Sequence, residues 1–309
     1  MTDSSTATPR VAKAPFTGSG VALVTPFDDR GVNEAVLREL VDFHVREGTN
    51  ALIVCGSTGE ASTMSPEEQA RALAVAVEAS SGRIPIVGGL GGSDTAAVSR
   101  LAEQARGAGV DVLLISPPPY NKPTQAGILA HYRAVMDAGG DLPVIVYNVP
   151  SRTACNILPE TLEAMAEDGR VVGVKEASGD LSQIAEVARR VGDRVAVYSG
   201  NDDQTVAVMA LGGMGIISVL GNIAPRDTSR MATAFLEGRV DEARRLQLGY
   251  LPLINTLFKE PNPIPVKAGV GMLGFDVGPV RLPLTPASPA ILEALRSEMG
   301  AMGLLDGGR

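Results

Sequence analysis

Short apolar runs recur along the chain, each followed by a longer stretch whose apolar positions are spaced three and four apart. The runs predict strands at Val21–Thr25, Ala51–Cys55, Ile84–Gly88, Val112–Ser116, Val144–Tyr147, Val171–Lys175, Val195–Ser199 and Gly215–Val219. The longer stretches carry ordinary helix starts. Asn33 precedes Glu34–Glu47, Ser65-Pro66 precedes Glu67–Ser80, and Ser93-Asp94 precedes Thr95–Ala108. Later helices are expected to begin near Thr124, Pro159, Asp180, Asp202 and Pro225.

Strand–helix alternation predicts a parallel sheet. Repeated eight times within residues 17–239, it favours a closed (β/α)8 TIM barrel over an open doubly wound sheet. The open sheet would carry a glycine-rich phosphate turn after its first strand, where this chain has Thr25-Pro26-Phe27-Asp28. Gly88-Gly89-Leu90-Gly91-Gly92 is glycine-rich, but lacks both the dinucleotide register and a phosphate-loop lysine. Residues 240–309 continue as helices at Asp241–Phe258, Pro263–Leu273 and Ser288–Met302, which predicts a C-terminal helical domain packed on the barrel. Residues 1–16, rich in Ser, Thr, Ala and Pro, are expected to be a disordered tail and lack the apolar core of a signal peptide.

Composition narrows the function. The 309 residues carry a net charge of −8, which offers no basic footprint for nucleic acid. No apolar run is long enough to span a membrane, so a cytoplasmic protein is expected. The two cysteines, Cys55 and Cys155, and the two histidines, His44 and His131, fit neither a disulfide framework nor a metal site. With 4% aromatic residues and no Trp, the few tyrosines stand out.

In a barrel of this kind the working residues sit at the C-terminal ends of the strands. The sixth run ends Gly173-Val174-Lys175-Glu176. Alternation puts Lys175 and Gly173 on one face, and an inward lysine above a glycine has room to work. Position alone leaves open a structural lysine paired with an inward carboxylate such as Glu60. The catalytic alternative is attack of the neutral amine on a ketone to give a Schiff base. The fifth run ends in Tyr147, a phenol able to carry protons, followed by Arg152, a planar donor suited to a carboxylate. Gly56-Ser57-Thr58-Gly59-Glu60 offers two hydroxyls and exposed backbone N–H groups. Pro117-Pro118-Pro119-Tyr120 holds Tyr120 on a stiff arm.

Four motifs carry a resemblance: Gly56-Ser57-Thr58-Gly59-Glu60, Tyr147-Asn148-Val149-Pro150-Ser151-Arg152-Thr153, Gly173-Val174-Lys175-Glu176, and Glu260-Pro261-Asn262-Pro263-Ile264-Pro265-Val266-Lys267. From about Gly18 to Leu305 the chain resembles the dihydrodipicolinate synthase and N-acetylneuraminate lyase family of pyruvate-dependent barrels. The Ser-Arg-Thr portion is similar to the synthase branch. The resemblance implies condensation of pyruvate with aspartate semialdehyde, with no cofactor beyond the covalent Schiff base. It assigns Lys175 to the Schiff base and Tyr147 to proton transfer. Ser57 and Tyr120 would complete a hydroxyl relay, Tyr120 reaching in from a neighbouring subunit. Thr58 would hold the pyruvate carboxylate and Arg152 that of the semialdehyde, while the Ile217 carbonyl and Gly200 would line the site. The family also implies a homotetramer built as a dimer of dimers.

Three departures matter. The synthases commonly have Thr where this chain has Ser57, and usually Thr where it has Leu90. The positions that bind inhibitory lysine in sensitive members read Pro66, Gln69, Ser93, Ala97 and Pro119, without a carboxylate at Ala97 for a cationic amino acid. Weak or absent inhibition by lysine is therefore expected. Two alternatives remain at the level of sequence. One is another pyruvate-dependent aldolase or dehydratase acting on N-acetylneuraminate or a 2-keto-3-deoxy sugar acid. The other is a barrel that binds keto acids without turning them over.

Overall fold

The computed structural model describes residues 14–305. Eight parallel strands close into a barrel: β1 (Gly18–Ala22), β2 (Ala51–Val54), β3 (Ile86–Leu90), β4 (Val112–Ile115), β5 (Val144–Asn148), β6 (Val171–Glu176), β7 (Ala196–Ser199) and β8 (Gly215–Ser218). β1 closes the ring by pairing with both β2 and β8. A helix follows each strand on the outside. Several begin where the sequence places a cap. Asn33 Oδ1 accepts from the Val36 N–H at 3.2 Å, and Ser65 and Glu68 form a reciprocal capping box. Asp180 Oδ1 accepts from Ser182 N–H and Gln183 N–H.

Alternation sorts the strand residues into two cores. Ile53, Leu114, Ile145, Tyr147, Tyr198 and Ile217 fill the barrel interior. Leu52, Leu113, Val146, Val174 and Val197 face the helices. Phe16, the end of the expected tail, belongs to the interior. It is 7% exposed, its ring stacks on Tyr198 with centroids 4.4 Å apart, and the Tyr198 hydroxyl donates to its carbonyl at 2.6 Å. A single aromatic in a Ser/Thr/Pro-rich stretch has no periodicity to announce it. Residues 1–13 of that expected tail lie outside the described residues.

β1 begins three residues before the expected Val21 because Gly18-Ser19-Gly20 pairs as strand despite weak strand propensity. The glycines are required by contact. A Cβ on Gly20 would lie 2.7 Å from the Phe16 ring, and one on Gly215 only 1.9 Å from the Gly18 carbonyl oxygen. β3 likewise runs to Leu90, two residues beyond the expected Gly88, through two glycines.

After the barrel, helices Val240–Leu257, Ile264–Met272 and Pro289–Ala301 pack on its flank. They bury Leu253, Leu257, Val266, Val270, Leu295 and Met299 in the outer core. The chain between the last two returns to the strand ends: Phe27 N–H donates to the Val277 carbonyl at 3.0 Å. The C-terminal region thus contributes residues to the mouth of the barrel.

Candidate functional site

Lys175 is the penultimate residue of β6, with its side chain inward and only 5% exposed. At Gly173, two residues earlier, a Cβ would be tight, 3.1 Å from Ile145 and 3.2 Å from the Tyr198 ring, so neighbours already fill the room expected beneath the lysine. The lysine therefore rises above a layer packed by its neighbours. Tyr147 and Lys175 are paired across β5 and β6, and the Lys175 Nζ lies 4.3 Å from the Tyr147 ring centroid. Among the described residues no carboxylate forms an ion pair with Lys175. Glu60, the structural partner that the sequence left open, is taken by Lys267 at 2.7 Å.

Two further buried acids flank the lysine without bonding to it. Glu176 points to the outer side of β6, where it accepts from Asn148 Nδ2 and the Ser178 N–H. Burial pushes its carboxyl above the usual range. Asp202, just after β7, accepts from the Ser218 hydroxyl at 2.5 Å and from the Val219 and Leu220 N–H groups. Burial raises its pKa too, opposed by those hydrogen bonds and by the charge of Lys175. Asp202 thereby fastens the loop that follows Ile217, a wholly buried interior residue of β8.

The other expected residues gather at the same end of the barrel. Thr58 is buried, Ser57 is exposed beside it, and Arg152 is exposed on the short helix Pro150–Thr153 after β5. The structure joins Thr58 and Arg152 through a residue to which the sequence assigned no role. Asn262 donates from Nδ2 to Thr58 Oγ1 at 2.9 Å, while its backbone carbonyl accepts from Arg152 Nη2 at 3.2 Å. Its Oδ1 is buried and has no hydrogen-bond partner. The sequence marks Asn262 as part of the Glu260–Lys267 motif, between Pro261 and Pro263, but nothing in that motif points to Thr58, far along the chain.

Gly200 follows β7, where its N–H donates to the Glu176 carbonyl at 2.7 Å, and a Cβ there would lie 2.6 Å from Ala177. Tyr120 stands apart. It is 91% exposed, in a left-handed conformation at φ 73°, and its hydroxyl makes no hydrogen bond among the described residues. Leu90, where the synthases usually have Thr, is buried in the outer core facing the helices. Its side chain does not line the barrel interior. Among the described residues there is no cluster of three metal-ligating side chains and no helix long and apolar enough to cross a membrane.

The Dihydrodipicolinate synthetase family matches residues 15–301. The chain belongs to that family. This makes it an enzyme, a lyase, and sets aside the barrel that only binds. A 4-hydroxy-tetrahydrodipicolinate synthase of Thermoanaerobacter sp. (strain X514) is 51% identical over 291 residues, covering 94% of this chain and 98% of the relative. A dihydrodipicolinate synthase from Cyanidioschyzon merolae with lysine bound superposes with a TM-score of 0.92 at 38% identity, covering 95% of this chain and 100% of that one. A chloride-inhibited synthase from Acinetobacter baumannii complexed with pyruvate gives 0.90 at 38% identity, covering 93% and 99%.

Proposed function

We propose that this family member condenses pyruvate with aspartate semialdehyde to give 4-hydroxy-tetrahydrodipicolinate, on the route to diaminopimelate and lysine, without a resident cofactor or metal. The observation that carries the reading is Lys175: a buried amine with no carboxylate partner among the described residues, set against a tyrosine at the mouth of a barrel. Burying a lone lysine is costly, and a covalent role gives the cost a purpose. The pyruvate and synthase names of the relatives support the substrates.

The chemistry follows from the groups in place. The neutral Lys175 amine adds to the ketone carbon of pyruvate. The ketone oxygen gains protons and leaves as water, which forms an imine. The imine draws electrons from the adjacent methyl group, which loses a proton to become a nucleophilic enamine carbon. That carbon bonds to the aldehyde carbon of the second substrate, whose oxygen takes up a proton. The amine of the semialdehyde then displaces Lys175 and closes the ring. Tyr147 carries the protons, with Ser57 and the Tyr120 of a second copy linking it to solvent. Thr58 holds the pyruvate carboxylate and Arg152 that of the semialdehyde, beside the Ile217 carbonyl and Gly200.

The exposed arm of Tyr120 supports at least a dimer, because the relay needs a neighbour; the homotetramer, a dimer of dimers, is what the family resemblance adds. The two buried, unpaired thiols, Cys55 and Cys155, support a cytoplasmic setting. Weak or absent inhibition by lysine is part of the same reading. Ala97 offers no charge, and the Gln69 amide is already spent on the Ala61 and Met64 carbonyls.

A coupled assay with pyruvate and aspartate semialdehyde tests the substrates. Turnover is expected with that pair, and none with N-acetylneuraminate or a 2-keto-3-deoxy sugar acid. The reverse preference would move the chain to the lyase side of its family.

A further inference from the structure

The segment that carries Thr58 and the segment that carries Asn262, whose carbonyl holds Arg152, are joined twice. At the mouth, Asn262 Nδ2 donates to Thr58 Oγ1. Farther along both segments, Lys267 Nζ donates to Glu60 Oε1 at 2.7 Å. Both of these charged side chains are buried, at 2% and 0% exposure, unlike helix-surface pairs such as Arg71–Glu34 at 48% and 39%.

Every bonding group of the pair is committed. Glu60 Oε2 accepts from the Arg281 N–H at 2.9 Å. Lys267 Nζ also donates to the Pro279 carbonyl at 2.9 Å and lies 4.2 Å from the Phe27 ring centroid. Arg281 covers the same ring at 3.9 Å and forms a bidentate pair with Glu68. Glu60 is held in the left-handed region at φ 55°, a cost that the bonds to its carboxylate offset. Just before it, Gly59 has no free volume: a Cβ would lie 3.1 Å from the Leu23 carbonyl oxygen, and Thr25 Oγ1 donates to the Gly59 carbonyl at 2.7 Å.

An apolar pair of similar volume would serve stability alone as well or better. What the ion pair adds is a fixed distance between residue 60 and residue 267, on segments that also meet at Thr58 and Asn262. Through the Asn262 carbonyl that distance reaches Arg152. We propose that Glu60 and Lys267 are positioning residues that set the spacing between the two carboxylate-holding groups, Thr58 and Arg152. This rests on the roles given to Thr58 and Arg152 above.

The test compares Glu60→Gln, Lys267→Met and the double variant in the full-length enzyme, reading KM for each substrate, kcat and Tm. Lys267→Met strands a buried carboxylate and loses Tm or fails to fold; the double variant, with both charges gone, recovers it. The expected result in the folded Glu60→Gln and double variants is a rise of about tenfold or more in KM for both pyruvate and semialdehyde, with kcat held within about threefold. In the double variant KM stays high although Tm recovers. A folded double variant with the KM values of the unmodified enzyme overturns the inference, provided that the unmodified enzyme forms a pyruvate adduct on Lys175. Absence of that adduct overturns the functional reading and this inference with it.

Discussion

The Lys175 Nζ lies 4.3 Å from the centroid of the Tyr147 ring, and the two residues face each other across adjacent strands. The ring shields the amine on one side while its hydroxyl is free of other partners among the described residues. Tyr147→Phe keeps the shield and removes the proton carrier. Its kcat is expected to fall by about 10²–10⁴-fold, with Tm nearly unchanged. Near-normal turnover in the phenylalanine variant would take proton transfer away from Tyr147.

Arg152 donates to the Asn262 carbonyl and is otherwise open to the mouth. Arg152→Ala should leave pyruvate adduct formation intact, because Thr58 and Lys175 are untouched. Loss of one charge-assisted bond worth about 1.5–3 kcal/mol lowers kcat/KM for the semialdehyde by roughly 10–100-fold. The check is steady-state kinetics beside adduct mass measurement. An equal loss of both would contradict the separation of the two subsites.

Asp202 gives the stability a pH signature. Burial raises its folded-state pKa above the ordinary aspartate value, so the folded state binds the proton more tightly than the unfolded one. Between those two values the stability contributed by this group is lost as pH rises. Asp202→Asn can keep the Val219 and Leu220 N–H bonds through its carbonyl and face Ser218 with its amide. The urea midpoint of the variant, measured against the unmodified enzyme from pH 4 upward, should gain steadily and then level off. A constant difference across that range would contradict the raised carboxyl.

Lysine at millimolar concentration should leave the activity of the purified enzyme largely unchanged. The determinant is Ala97, half-buried on the helix Thr95–Ala108 where a carboxylate would be needed to hold a cation. The measurement is initial rate against lysine concentration at fixed substrates. Halving of the rate in that range would refute the reading.

The barrel was legible because its eight strands are apolar on both faces and its helices open on Asn33, Ser65, Asp94, Thr124 and Asp180, signals that depend only on neighbours in sequence. Boundaries slipped at Gly18–Gly20 and at Gly89-Leu90, where close packing demands glycine against strand propensity. Phe16 was missed for want of any pattern around it. At the site, strand alternation alone placed Lys175 and Tyr147 inward together. Asn262 and the Glu60–Lys267 pair were not legible, since they join positions about 200 residues apart in the chain. The direction of Leu90 was hidden for a local reason. The glycines beside it hid the strand, and with it the alternation that turns Leu90 toward the helices.

The central claim is that Lys175 forms an imine with pyruvate. Borohydride reduction of the enzyme in the presence of pyruvate, followed by peptide mass mapping, tests it directly. The expected result is a stable adduct on the peptide containing Lys175, absent without pyruvate and absent in Lys175→Arg. An unmodified Lys175, with the enzyme still turning over, would contradict the account.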